Sequence, residues 1–172
     1  MTGPARFDAL NYSLPAIADG RVPTLGPLPA AAVPPLCEAI VAMDPWRKYP
    51  FPPDAFCRML TADEPGAPRL AISLEGEIVG VCVIRAAWLR GPYLQFLALL
   101  PKVHNRGVGG AFLAWLEGEA RRAEERNLWV AASAINTGAI RFYERAGFTK
   151  VADLDELVCD GYMEFLFRKR LT

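Results

Sequence analysis

Residues 97–110 read LALLPKVHNRGVGG, and this stretch decides the fold. The almost unbroken apolar run over Tyr93–Leu100 predicts a central strand covered on both faces. Pro101 ends that strand, and apolar residues at helical spacing predict a helix over Gly109–Arg126. The first N–H groups of such a helix are unpaired and carry partial positive charge, and three glycines beside Arg106 leave them open to an anion. The stretch therefore predicts a pyrophosphate cradle, with a plain glycine-rich turn as the alternative.

Two familiar phosphate-binding motifs do not fit this glycine loop. A P-loop requires Gly-Lys-Ser/Thr, which the stretch lacks. A dinucleotide fingerprint beginning at Gly107 requires glycine where Phe112 stands, and an acid about twenty residues on, where Arg126 and Asn127 stand. The loop is therefore predicted to be another type of cradle.

A second informative stretch, residues 135–148, reads INTGAIRFYERAGF. It follows a predicted strand at Leu128–Ile135 and predicts a helix over Thr137–Arg145, with Asn136 as the candidate cap. Tyr143 lies seven residues after Asn136, which is two helical turns, so both residues are expected on one helix face.

Outward from these stretches, the sequence predicts further strands and two short helices. Hairpin turns are predicted at residues 75–77 and 160–161. The predicted strands are Val22–Leu25, Leu70–Leu74, Ile78–Ala86, Thr149–Leu157 and Tyr162–Arg168, and the predicted helices are Pro35–Met43 and Asp54–Leu60. The order of these strands and helices along the chain indicates a mixed sheet with helices packed against it.

Composition excludes several classes of protein. The 172 residues suggest one domain, residues 1–172, with residues 1–20 as an N-terminal arm. Hydrophobic residues make up 52% of the chain, which excludes a disordered or collagen-like protein. Lys and Arg total 19 and Asp and Glu total 19, so there is no basic excess and no nucleic-acid partner is expected.

The expected compartment is the cytoplasm, because residues 1–10 lack a secretory signal. No membrane partner is expected either, because no apolar run reaches the roughly 18 residues of a spanning helix. With one histidine and no Cys-x-x-Cys pair, a zinc site is not expected. All four thiols are expected to be reduced, ordinary small hydrophobes, at Cys37, Cys57, Cys82 and Cys159.

Together, the two stretches resemble the GNAT superfamily of acyl-CoA-dependent N-acetyltransferases, over roughly residue 70 to the C-terminus. The family's loop pattern, Arg/Gln-x-x-Gly-x-Gly/Ala, falls on residues 104–109, and Pro101 matches the proline at the preceding strand end. The later Asn…Tyr…Gly-Phe pattern matches Asn136, Tyr143, Gly147 and Phe148. His104 replaces the usual Arg or Gln, a change expected to retune cofactor contacts because the loop binds phosphate mainly through backbone N–H groups.

The resemblance implies a mixed α/β (α+β) fold. Its central, mostly antiparallel sheet has about six or seven strands with one parallel, splayed pair, flanked by about four helices. The splayed strands are Tyr93–Leu100 and Leu128–Ile135, and a bulge in the first would help to open the gap. The implied co-substrate is acetyl-CoA, with no metal. Its binding residues are implied to be Leu97, Ala98, Leu99, Asn105, Arg106, Gly107, Val108, Gly109, Gly110 and Asn136.

The resemblance also implies direct attack of a primary amine on the thioester. The N–H of Leu99 or Leu100 would stabilise the oxyanion, and Tyr143 would act as general acid toward the departing sulfur. A tyrosine that only packs is the alternative. The splayed strands offer no Asp or Glu as the base, so a water chain or a distant acid, Asp44 or Glu156, is expected. His104 is discounted because it lies at the phosphate end.

The acceptor is expected to be a small-molecule or peptide amine. Its contacts are expected among Trp46, Tyr49, Phe51, Trp88, Arg90 and Tyr162. These aromatic residues could equally seal the core. The alternatives to an enzyme are a non-catalytic acyl-CoA-binding module and an interaction domain that keeps the scaffold. A two-fold homodimer is left open.

Overall fold

The computed structural model describes residues 7–52 and 54–171, which contain one eight-stranded sheet and four α-helices. The strands are Tyr12–Ser13 (β1), Thr24–Pro27 (β2), Arg69–Leu74 (β3), Glu77–Trp88 (β4), Gly91–Leu99 (β5), Asn127–Ser133 (β6), Thr149–Asp155 (β7) and Met163–Arg170 (β8). The α-helices are Val33–Val41 (α1), Ala55–Thr61 (α2), Val108–Arg122 (α3) and Thr137–Arg145 (α4). Short 3-10 turns occur at Ala30–Ala32, Trp46–Lys48 and Pro101–Val103.

The strands lie in the order β1-β2-β3-β4-β5-β6-β8-β7, and only the β5–β6 pair is parallel. This confirms the mixed, mostly antiparallel sheet with one parallel pair. The sheet has eight strands, where six or seven were expected, because Tyr12 and Ser13 pair with Leu25 and Thr24. Residues 1–6 of the expected arm lie outside the described residues, and the following segment buries Leu14 and Ile17 in the core.

The sheet is covered on both faces, and β4 shows how. Val81 and Val83 pack with Ile40 of α1 and Phe56 of α2 in one cluster. The alternating residues Cys82 and Ile84 pack with the residues of α3 and α4 in the other cluster. Successive side chains of a strand point to opposite faces, so a strand covered twice is apolar throughout.

The parallel pair separates partway along its length. β5 pairs with β6 only at Tyr93↔Trp129 and Leu94↔Val130. On the other side of β5, Phe96 pairs with Val83 and Leu94 with Ile84, so Gln95 is an extra residue and forms a bulge. The expected bulge and splay are therefore both confirmed, and the gap that they open contains the candidate site.

The expectation that all four cysteines are free thiols is wrong. Cys37 of α1 and Cys57 of α2 are joined in a disulfide across a sequence separation of 20 residues. The two helices pack together on the same face of the sheet and bring the two sulfur atoms together, which the spacing alone did not indicate. Cys82 and Cys159 are free thiols. In the described part of the chain, no helix has both the length and the apolar character needed to cross a membrane.

Candidate functional site

A cavity of about 460 Å³ occupies the gap between β5 and β6. The two strands form its inner wall, α4 contributes Asn136 and Tyr143, and α2 with the preceding loop forms the outer wall. Polar or charged groups are contributed by Tyr49, Arg85, Tyr93, Gln95, Ser133, Asn136, Tyr143 and Glu164. The second stretch singled out in the sequence lines this cavity with Asn136, Ala139 and Tyr143, whereas the first reaches it only through Leu97. Residues 98–110, which include the glycine loop, are not among the described lining residues.

The direction of the β5 peptide groups decides which of them face this gap. The N–H of Leu100 donates to the carbonyl of Val79 at 2.8 Å, so it points toward β4 and away from the gap. Peptide directions alternate along an antiparallel strand, so the N–H and C=O of Ala98 also face β4. The same alternation turns the peptide groups of Leu97 and Leu99 toward the gap. Of the two oxyanion donors expected from the sequence, Leu99 has the suitable direction and Leu100 does not.

His104 bonds to the backbone of this strand. Its Nε2 atom lies 2.7 Å from the carbonyl oxygen of Leu99, to which it donates. This contact occupies the Leu99 carbonyl and leaves the Leu99 N–H facing the gap. His104 lies at the end of β5 where the chain turns toward α3, and its contact with Leu99 brings the imidazole next to the residue whose N–H faces the gap.

The glycine loop turns the chain sharply into α3. Gly107 has a φ of 88°, a left-handed conformation that favours glycine, and α3 begins at the next residue, Val108. A Cβ atom on Gly110 would meet no protein atom within 4 Å, so the helix start is open there. Gly109 has a different role, because a Cβ atom there would lie 3.0 Å from the Phe142 ring. It is small so that α3 can pack against α4.

The start of α4 is capped as predicted. Asn136 Oδ1 accepts a hydrogen bond from the Ala139 N–H at 3.1 Å. Tyr143, on the same helix, is only 6% exposed and lines the cavity. Burial raises the pKa of its phenol, and the nearby Tyr93 raises it further. The hydroxyl therefore stays protonated at neutral pH, and the raised pKa also makes it a weaker acid than an exposed tyrosine.

A carboxylate that the sequence analysis missed, Glu164 of β8, also lines the cavity. Glu164 is opposite Ser133 of β6 and is 5% exposed. Burial raises the pKa of the Glu164 carboxyl, while a 2.8 Å hydrogen bond from the Tyr49 hydroxyl to Oε1 opposes this shift. The Ser133 hydroxyl is close enough to lower this pKa slightly, but its geometry does not form a hydrogen bond.

The acids expected as a distant base lie elsewhere. Asp44 pairs with Arg47 at 2.5 Å, and this contact lowers the pKa of its carboxyl, which makes it a weaker base. Glu156 is exposed and accepts a hydrogen bond from the Gly161 N–H at 3.0 Å. Neither is among the described residues that line the cavity. Glu164 instead reaches the cavity from β8, the strand paired with β6.

Aromatic side chains form the outer wall of the cavity. Tyr49 stacks on Phe51 with ring centroids 4.8 Å apart and contacts Tyr162 at 4.7 Å. The Tyr162 hydroxyl donates to the Lys48 carbonyl at 2.9 Å, so the loop before α2 and the β7–β8 connection are joined. Trp46 packs on Phe96 at 5.3 Å. Trp88, Arg90 and Tyr162 were expected among the acceptor contacts and are not among the described lining residues, although Tyr162 contacts Tyr49, which is. Across residues 7–52 and 54–171, no group of three or more His, Cys, Asp or Glu side chains could hold a metal ion.

Comparisons with known proteins identify relatives of this fold. The model of the Acetyltransferase (GNAT) family matches residues 34–148. The ribosomal-protein-S18-alanine N-acetyltransferase of Escherichia coli has a similar structure, with a TM-score of 0.67 and 17% identity over 87% of this chain and 94% of that one. A GNAT acetyltransferase of Elizabethkingia anophelis, solved with acetyl-CoA bound, gives a TM-score of 0.64 and 17% identity over 87% of this chain and 98% of that one. No curated protein matches the sequence.

Proposed function

The chain belongs to the GNAT family of acetyltransferases, and we propose that it is an N-acetyltransferase that transfers the acetyl group of acetyl-CoA directly to a primary amine. The observation that carries the proposal is the gap between β5 and β6. The peptide groups of Leu97 and Leu99 face this gap, and Tyr143 lines it from α4. A strand edge without a neighbour can bind an extended arm as if it were a further strand.

The cofactor is proposed to lie along this edge and over the start of α3. Leu97 would bond the pantetheine arm with its peptide groups, and Leu99 would use its N–H at the thioester end, because His104 occupies its carbonyl. Ala98 lies between them with its peptide groups facing β4. The diphosphate would lie against the backbone N–H groups at the helix start, with Arg106 adding charge. The full set at this end is Asn105, Arg106, Gly107, Val108, Gly109 and Gly110. Asn136, which caps α4, borders the arm.

Acetyl-CoA supplies the thioester, and the protein supplies the groups that stabilise its aminolysis. The Leu99 N–H would donate to the thioester oxygen as negative charge develops there; one such donor is typically worth about 2.7–4 kcal/mol. The protonated Tyr143 hydroxyl would donate its proton to the departing sulfur. Both groups come from elements that pack in the core, so their geometry is fixed before the substrates bind.

The test combines calorimetry with acetyl-CoA and a thiol-release assay over a panel of primary amines. We expect binding of acetyl-CoA and amine-dependent release of CoA. Binding without release for any amine would favour a non-catalytic acyl-CoA-binding module. The absence of binding would contradict both the enzyme and the module, and would leave an interaction domain that keeps the scaffold.

A further inference from the structure

The acceptor end of the cavity contains one acid. Of the described lining residues, Glu164 is the only carboxylate and Arg85 the only cationic side chain. Arg85 is already paired with Glu64 at 2.6 Å. Glu164 is therefore a buried carboxylate with no cation in contact among the described residues, and a positively charged ligand would relieve the free-energy cost of burying it.

Two further acceptors in the same cavity lack partners. The Oε1 atom of Gln95 and the Oγ atom of Ser133 are buried and have no hydrogen-bond partner in the described structure. Gln95 is the bulge residue of β5, and Ser133 lies opposite Glu164 on β6. A primary ammonium group has three N–H donors. Glu164, Gln95 and Ser133 offer three acceptors, one for each N–H donor of such a group.

The rest of the acceptor end is apolar and aromatic. Its rings belong to Trp46, Tyr49, Phe51, Phe56, Tyr93 and Phe96. Aromatic faces attract cations and favour flat apolar groups. The whole cavity, of about 460 Å³, includes the gap assigned to the cofactor arm, so only part of it is left for the acceptor.

We propose that Glu164, with Ser133 and Gln95, binds and deprotonates the acceptor, and that this acceptor is a monoamine whose primary amino group is attached to an aromatic or similarly apolar group. This inference rests on the proposed acetyl transfer and names its substrate class. Polyamines and aminoglycosides carry several cations, for which the described cavity wall offers one carboxylate. An α-amino acid carries a carboxylate, for which the only lining cation, Arg85, is already paired.

The proton transfers balance. The Glu164 carboxylate takes one proton from R–NH3+, and the freed nitrogen lone pair forms the C–N bond with the thioester carbon. The C–S bond breaks with its electron pair going to sulfur, and the Tyr143 hydroxyl protonates the sulfur. A second N–H proton then restores the Tyr143 phenol, and Glu164 releases its proton to solvent. The products are the N-acetyl amine, free CoA and one proton.

The first test compares three amines of similar size by their kcat/KM values. 2-Phenylethylamine presents one amine on an aromatic group, phenylalanine adds a carboxylate, and 1,5-diaminopentane replaces the ring by a second cation. We expect 2-phenylethylamine to be preferred by at least about tenfold, or about 1.4 kcal/mol. A preference for either of the other two would overturn the substrate class while leaving the acetyl transfer intact. The absence of CoA release with all three amines, and with every other amine of the panel, would contradict the proposed acetyl transfer itself.

The second test uses variants. Glu164→Gln keeps the side-chain shape but cannot take a proton, so kcat/KM for 2-phenylethylamine should fall by about 10²–10⁴-fold with unchanged calorimetric affinity for acetyl-CoA. The control is Glu144→Gln, an exposed position of α4, which should leave both quantities unchanged. Unchanged turnover in Glu164→Gln would exclude Glu164 as the base. Retained acetyl-CoA affinity shows that the variant is folded.

A third variant, Tyr49→Phe, tests the role of Glu164 through the pH dependence of kcat/KM. If Glu164 had only a structural role, this pH dependence would not change. The Tyr49 hydroxyl donates to Glu164 and stabilises its ionised form. The other titratable groups that face the cavity are Arg85, Tyr93 and Tyr143. None of them is changed by this substitution, so the acid limb of the kcat/KM profile should shift to higher pH. A shift to lower pH, or no shift, would contradict the assignment of that limb to Glu164.

Discussion

The side chain of Glu164 shows how a single buried acid links stability to pH. Its carboxyl is 5% exposed, and burial raises its pKa above the ordinary value of 4.5. The folded chain therefore holds this proton to higher pH than the unfolded chain does. Since the unfolded state binds fewer protons in that interval, the free energy of unfolding falls as the pH rises through it. Ionisation of Glu164 therefore lowers the stability of the folded chain, a cost that is common at functional sites and that fits the proposed role of Glu164 as a base.

Replacement of Glu164 by the neutral glutamine should remove this loss of stability at higher pH. We expect Glu164→Gln to gain in melting temperature relative to the wild type as the pH is raised from 4.5 to 8, because only the wild type ionises there. The measurement is thermal unfolding of both proteins at several pH values. Glu144→Gln, at an exposed site, should show a constant difference from the wild type. If the Glu164→Gln difference also stayed constant, the carboxyl would have an ordinary pKa in the folded protein.

Tyr143 should matter for turnover and little for cofactor binding. Tyr143→Phe removes only the hydroxyl, so the ring contacts with Phe148 and Phe167, at 5.8 and 6.4 Å, are kept. A lost general acid typically costs about 10²–10⁴-fold in rate, so we expect kcat at saturating amine to fall in that range. The dissociation constant for acetyl-CoA should stay nearly unchanged. Wild-type turnover in this variant would leave Tyr143 as a packing residue.

At the scale of elements, the start of α3 is shaped by glycines with different roles. Gly107 provides the left-handed turn, and Gly109 allows contact with the Phe142 ring. Gly110 meets neither requirement, since a side chain there would contact no protein atom within 4 Å. Glycine weakens a helix by about 1 kcal/mol relative to alanine. Where no packing contact requires a glycine, we expect it because a ligand must come close to the backbone.

Two substitutions in α3, Gly110→Ala and Gly118→Ala, separate the effect of glycine on helix stability from its effect on ligand binding. Both substitutions favour the helix, and the Cβ atom of the second would lie 3.8 Å from the flexible Arg122 side chain. We expect both to raise the free energy of unfolding by up to about 1 kcal/mol. Only Gly110→Ala should weaken acetyl-CoA binding, by about tenfold or more, the cost of one charge-assisted hydrogen bond. Equal affinities in calorimetry would place the diphosphate elsewhere.

How much could be predicted from the sequence depends on how local the determinants are. The helix α4 was predicted with its observed bounds because the Asn136 cap and the apolar spacing lie within one stretch. The gap was expected only through the family resemblance, which the two motifs beside its strands carry. Glu164 was missed because its place beside Ser133 depends on pairing between β6 and β8, which are about 30 residues apart along the chain. The direction of the Ala98 peptide likewise depends on the register with β4.

At the scale of the whole molecule, the disulfide joins the two helices that cover the acceptor side of the sheet. Cys57 lies in α2, whose residues Ala55, Phe56 and Met59 line the cavity, and Cys37 lies in α1 behind it. The opposite face holds α3, which follows the glycine loop. The cross-link therefore restrains the wall that is proposed to contact the acceptor and is remote from the proposed diphosphate site.

Removal of this cross-link should affect the two substrates unequally. A disulfide closing a loop of about this length stabilises a chain by roughly 3 kcal/mol in the loop-entropy account, so the double variant Cys37→Ser, Cys57→Ser should unfold at lower denaturant concentration. We expect KM for the amine to rise while calorimetric affinity for acetyl-CoA stays the same, since α2, one of the two cross-linked helices, lines the acceptor side of the cavity. Cys159→Ser, which removes a free thiol, is the matched control. Thiol titration of the denatured, unreduced wild type should find two reactive cysteines, and four would show that the cross-link does not form.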